Sequence, residues 1–337
     1  MIGSRWAILG VLSVAAAATA AELPEFYHSV DRVVWVVEDL DRTAQELRRV
    51  GMTNFTAPEE AAVEGEYRGK PATGSIRWMS GRFADVAVHW IEPLEAGNAF
   101  ADFRDRHGSG VFALVHRAPS ALAFDDEIGR LRALGVGVLQ RGTIETSAGE
   151  IRWVFFDTEP DGKYVVGLIH FPGGEEGPLA VAPENPSGRT VVQFAFAVKQ
   201  LEPVSEYWAH LGFPPMKFTH GKLRDLRYRG KPGEFDMRLG WQRHGKVPYE
   251  WIESLKGPDI YLDHMKVHGE GFQHFAFRVE DMDADIGWWA ERGYEVTMSG
   301  AWGEEGRPGS GRFAYLDAER LGGVAIELLW SYRPDEK

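Results

Sequence analysis

A chain of 337 residues is too long for one comfortable hydrophobic core and suits two domains of ordinary size. With 44% hydrophobic and 26% charged residues it is globular rather than disordered, and its lack of cysteine excludes disulfides, a lipid-attachment thiol and thiol chemistry. The formal charge of -13 argues against a nucleic-acid partner, which would need a basic face; the short run Arg224, Arg227 and Arg229 reads as solvated strand edges or a pocket for one anionic group.

The N-terminus stands apart from the fold. Arg5 precedes an apolar, small-residue stretch from Trp6 to Ala18, which ends in Ala18-Thr19-Ala20. This is the pattern of a secretory signal over residues 1–21, too short to span a bilayer stably. The expectation is a periplasmic or secreted protein, with no membrane partner after cleavage.

From there the elements come in order. Val33 to Val37 is β-branched and reads as a buried strand; Asp41 to Val50 has helical spacing closed by Gly51. Strand-like runs follow, the last being Val86 to Ile91. The order then restarts with a strand at Val111 to Val115, a helix from about Asp125 to Leu134 closed by Gly135, and strands at Trp153 to Phe156 and Tyr164 to Ile169. One helix followed by three strands, preceded by one strand, predicts an α+β fold with helices outside a curved sheet.

The whole half is then repeated. Tyr67-Arg68-Gly69-Lys70-Pro71 recurs 161 residues later as Tyr228-Arg229-Gly230-Lys231-Pro232, and the same offset carries Trp90-Ile91-Glu92 onto Trp251-Ile252-Glu253 and His107-Gly108 onto His268-Gly269. Later the register slips, with Gly135 opposite Gly293 and Arg152 opposite Arg312. The chain therefore holds four strand–helix–three-strand units in two duplicated domains, 23–172 and 188–332. The Pro- and Gly-rich stretch 173–187 is the linker.

The stretch Tyr249 to Glu253, followed by His268-Gly269-Glu270-Gly271-Phe272-Gln273-His274-Phe275-Ala276-Phe277 and Asp281, resembles the vicinal oxygen chelate superfamily, nearest its glyoxalase and methylmalonyl-CoA epimerase branch. That resemblance implies tandem βαβββ units, paired into two cup-shaped mixed sheets, with metal ligands on the first and last strands of each unit. In the C-terminal half those positions hold Gln193, Glu250, His274 and Glu327. Each interrupts an apolar strand, and two carboxylates inside a sheet need a cation or strong donors. One imidazole, one amide and two carboxylates suit a single divalent ion: Zn, Ni, Co, Mn or Fe. Glu253 has the opposite parity to Glu250 and is expected to face solvent. The first-half counterparts Arg32, His89, Ala113 and Gly167 imply a degenerate site. An exchanged pairing of units would instead bring Arg32 and His89 to His274 and Glu327.

By resemblance to glyoxalase I, Glu327 and Glu250 are the catalytic carboxylates, moving a proton next to a metal-held carbonyl of a small-molecule substrate. An isomerase, epimerase or lyase is the leading reading. The alternatives are an extradiol-type dioxygenase and a metal-free binding protein, as a monomer or homodimer. The Gly-rich segment Gly300 to Gly311 reads as a lid or a long surface hairpin, and Trp241, Trp288, Trp289 and Trp302 as an aromatic wall, the adjacent pair also packing on the sheet.

Overall fold

Two mixed sheets of ten strands each, one per half, carry the chain in its computed structural model, which describes residues 22–333. The expected signal segment lies outside the described residues. Among them no helix is long and apolar enough to cross a membrane.

In the first sheet, Arg32–Val36 and Gly110–Arg117 pair antiparallel at the centre, joining the two units of that half. Val86–Pro93 lies parallel to the first of these and Val165–His170 parallel to the second. The second sheet repeats this plan with Val191–Val198, Gly271–Arg278, Tyr249–Lys256 and Ala325–Ser331. Each sheet thus draws on one half alone, which overturns the exchanged pairing. The reason lies in the short loop between units: Gly108 and Gly269, with φ of 68° and 79°, end a helix and lead straight into the next central strand of the same half.

The recurring Tyr-Arg-Gly-Lys-Pro motif is a hairpin. Arg68 and Gly69 (φ 48° and 73°) and Arg229 and Gly230 (φ 49° and 75°) form its tight turn, which explains why the residues recur. The first-unit hairpin reaches across to pair with the outer strand of the second unit, Tyr67 opposite Gln140, and so closes the cup. Ion pairs repeat as well. Arg77 binds Glu92 and Asp41, as Arg238 binds Glu253 and Glu202; Arg152 binds Asp125, as Arg312 binds Asp283. Glu253 therefore lies on the outer face as its parity predicted, but tied to Arg238 and to the Leu201 amide rather than free in solvent.

Alternation splits each strand between two cores. Val33 and Trp35 join one apolar layer with the outer helices and the other half, while Val34 and Val36 face the cup. Phe83 and Trp35 pack on Phe275, and Tyr164 stacks on Trp208, across the halves. Trp289 is fully buried in this layer, so the adjacent tryptophans belong to packing, not to a pocket wall; Trp288 stacks beneath the Arg292 guanidinium. The helix expected from Asp125 begins earlier, at Ala121, because the Ser120 hydroxyl accepts from the Ala123 amide. At the contact of the halves, His107 Nδ1 meets the His268 carbonyl at 2.5 Å and His268 Nδ1 meets the His107 carbonyl at 2.6 Å. The segment between the halves is strapped to the first: Asn54 donates to the carbonyls of Ala182 and Glu184, and Arg82 to that of Ala182.

Candidate metal centre

Sheet register places the four expected donors around two alanines. Ala195 pairs with Glu250 on one side and His274 on the other; Ala276 lies between Gln193 and Glu327. Alternation turns all six side chains to the concave face, and the two methyl groups leave the centre open. Ligand atoms of Glu250, His274 and Glu327 lie within 4.8 Å of one another. His274 Nε2 is 3.6 Å from Glu250 and 3.3 Å from Glu327. Gln193 lines the same cavity of about 640 Å³ as Glu250 and Glu327.

The site is buried at the base of its cavity. Exposure is 8% for Gln193, 5% for Glu250, 0% for His274 and 4% for Glu327. Gln193 Oε1, Glu250 Oε2, His274 Nε2 and Glu327 Oε2 are buried with no hydrogen-bond partner. Buried polar atoms of this kind are costly to retain for packing alone, and the Glu250, His274 and Glu327 cluster is a mixed N/O group that could hold a divalent ion. Burial opposes a charge on His274, yet Glu250 and Glu327 together push its pKa up to about 9. Burial, together with the neighbouring Glu327 charge, raises that of Glu250. The two carboxylates thereby favour a proton on the imidazole.

Sequence reasoning missed three supporting side chains. Gln273, itself buried, accepts from His274 Nδ1 at 2.5 Å, which fixes the ring with Nε2 toward the carboxylates. The Tyr261 hydroxyl donates to that of Tyr315 at 2.8 Å, and the Tyr315 ring stands edge-on to His274, 5.0 Å between centroids. Burial and the Glu327 charge hold the Tyr315 hydroxyl well above its ordinary pKa, so it stays protonated. The signal was present in the duplication: the first-half counterparts of Gln273, Tyr261 and Tyr315 are Phe112, Phe100 and Phe155, polar groups in one copy against phenyl rings in the other. Trp241 and Trp302 line the cavity as expected, and Gly300 to Gly311 forms a hairpin joining Val296–Trp302 to Gly311–Leu316, with Gly303 at the rim.

The first half brings no comparable donors together. Arg32 Nη1 is 3.1 Å from His89 Nε2, and burial plus the Arg32 charge lowers the His89 pKa to about 3, so His89 is a neutral acceptor. Val34 and Val115 occupy the places of Ala195 and Ala276, and a Cβ at Gly167 would come within 2.9 Å of Val115 Cγ2 and 3.0 Å of Phe155.

The fold has known counterparts. Residues 192–315 match the family described as the glyoxalase/bleomycin resistance protein/dioxygenase superfamily. That match, to the vicinal oxygen chelate group, lies within the C-terminal half of the chain. A mutant of 4-hydroxymandelate synthase from Streptomyces coelicolor has the same fold at 15% identity, with a TM-score of 0.60 over 91% of this chain and 94% of that one. A xylose isomerase-like TIM barrel/4-hydroxyphenylpyruvate dioxygenase fusion protein matches at 14% identity and TM-score 0.52, over 92% of this chain and 50% of that one. The Mn(II)-bound glyoxalase from Novosphingobium aromaticivorans aligns at 16% identity and TM-score 0.43, over 91% and 83%. No curated protein matches the sequence.

Proposed function

We propose that the protein is an exported, metal-dependent enzyme that moves a proton next to a carbonyl of a small oxygen-chelating substrate, as an isomerase, epimerase or lyase. The observation that carries this reading is the cluster of buried ligand atoms from Glu250, His274 and Glu327, with Gln193 lining the same open cavity as the two carboxylates. A divalent ion held there supplies Lewis acidity, offsetting the negative charge that develops on a substrate oxygen.

The chain's own residues do the remainder. Gln273 orients His274 through Nδ1. The carboxylates of Glu327 and Glu250 stand on different strands around the cavity base, so a carbon held between them has a proton acceptor on one side and a donor on the other. Tyr315, kept protonated, lines the cavity beside Glu327 and is placed to donate a hydrogen bond to that carboxylate. The aromatic walls Trp241, Trp302 and Phe313 exclude water from the exchange. An oxygenase reading is less favoured, because four protein donors leave fewer open positions for both a chelating substrate and oxygen.

Elemental analysis of untagged mature protein, beside Glu327→Ala and His274→Ala, is the test. About one metal per chain that disappears in both variants supports the reading and justifies an isomerase and lyase substrate screen. A wild-type protein that takes up no Zn²⁺, Ni²⁺, Co²⁺, Mn²⁺ or Fe²⁺ on reconstitution overturns it.

A further inference from the structure

Resting on that metal reading, we infer that the substrate of the C-terminal cup carries a carboxylate at its end remote from the metal, held at the cavity mouth by Arg278 and Lys222, with an apolar or aromatic body between. Both cations line the cavity, and among the described residues neither is paired with a carboxylate. In a chain with 50 acidic against 37 basic residues, most arginines do find an acid, and Arg278 stands out among those lining this cavity. His274, Ala276 and Arg278 alternate onto the same inner face, which puts the Arg278 backbone about 13 Å along the strand from His274. Leu239, Phe313, Leu329 and the two tryptophans Trp241 and Trp302 fill the wall around that span.

The duplicate half shows what an arginine at this position does. Its counterpart of Arg278 is Arg117, which donates to Asp31 at 2.7 Å and closely to Glu176. Glu176 comes from the segment joining the halves and also binds Arg32 at 3.2 Å; two and three residues on, Pro178 and Leu179 line the N-terminal cup. The first cup is therefore occupied at its mouth by a carboxylate followed by an apolar group, both from the chain itself. Among the described residues the second cup has neither. The place of Asp31 is taken by Val192, and that of Phe171, over which Arg117 and Arg32 lie, by Ser331. The cavity is correspondingly larger, about 640 Å³ against about 390 Å³. The arginine is kept, the place of Asp31 holds an apolar residue and the cavity is larger, which fits an external carboxylate.

The test uses Mn²⁺-loaded full-length mature protein and three probes: benzohydroxamate, whose paired oxygens chelate a metal, and its 3-carboxy and 4-carboxy derivatives. Titration calorimetry should show at least one carboxylated probe binding about tenfold tighter than the parent. That ratio should fall to about one in a Lys222→Ala/Arg278→Ala variant of unchanged metal content, and survive largely in Arg278→Lys. Equal affinities of all three probes in the wild type, or a preference that persists in the double variant, overturn the carboxylate inference while leaving the metal reading standing. If no hydroxamate binds the metal-loaded protein, the chelation reading fails and this inference with it.

Discussion

Where the C-terminal cup sets Ala195 and Ala276 between its donors, the N-terminal cup sets Val34 and Val115; where one has the Tyr261–Tyr315 hydroxyl pair, the other has Phe100 against Phe155. The backbone plan, outer ion pairs and hairpin turns are shared, so these inner differences are not consequences of a different fold. They teach that a site on this scaffold depends on empty volume as much as on donors. A glutamate restored at Gly167 would meet Val115 and Phe155 before it met any metal. In the first cup an arginine and a segment of the chain itself fill the space.

The sharpest way to break the comparison is to delete one imidazole from each half. His274→Ala should weaken metal binding on the order of 100-fold or more, whereas His89→Ala should leave metal content at the wild-type value; elemental analysis of both reads the result. Loss of metal in His89→Ala would restore a role for the first cup.

A second variant transfers the first half's filling to the second. Ala276→Val should lower Mn²⁺ or Zn²⁺ affinity about tenfold and cost about 1–3 kcal/mol of stability through overpacking. Metal competition and denaturant unfolding measure the two effects, and unchanged affinity would mean that volume at this position does not govern the site.

A third variant, Gln273→Leu, removes the partner of His274 Nδ1 without touching the donors. We expect a 10- to 100-fold loss of metal affinity with little change in fold. An affinity equal to the wild type would show that the ring is positioned by packing alone.

The smallest effect concerns acid. His89 is buried neutral, with its pKa lowered to about 3 from 6.5. Its folded pKa lies below the unfolded one, so its contribution is fully present above pH 6.5 and is lost as pH falls toward 3. Between pH 7 and pH 5 that amounts to about 2 kcal/mol. His89→Gln should shrink the pH dependence of the unfolding midpoint over that interval. Glu159 adds a lower step: burial opposes its charge, but His107 and Arg106 bring its pKa down to about 2, so its contribution holds above about 4.5 and fades below. A wild-type midpoint that is flat from pH 7 to pH 5 would contradict the assignment of a neutral His89.

Much of this was legible in the chain itself. The duplication, the α+β class and the four-unit plan follow from repeated motifs and from the alternation of apolar residues, because strand and helix periodicity are local properties. Four donors could be named because each interrupts an apolar strand, and a buried polar side chain stands out against that pattern. Tertiary structure decided the rest. Only the sheet pairing shows that Glu250, His274 and Glu327 share one cup and that Arg32 and His89 do not join them, since pairing depends on contacts between residues far apart in sequence. Only packing shows that Trp288 and Trp289 serve the contact between the halves while Trp241 and Trp302 face the cavity. The support from Gln273, the volume left by two alanines and the unpaired charge of Arg278 are likewise properties of what surrounds a residue, which its identity and spacing do not specify.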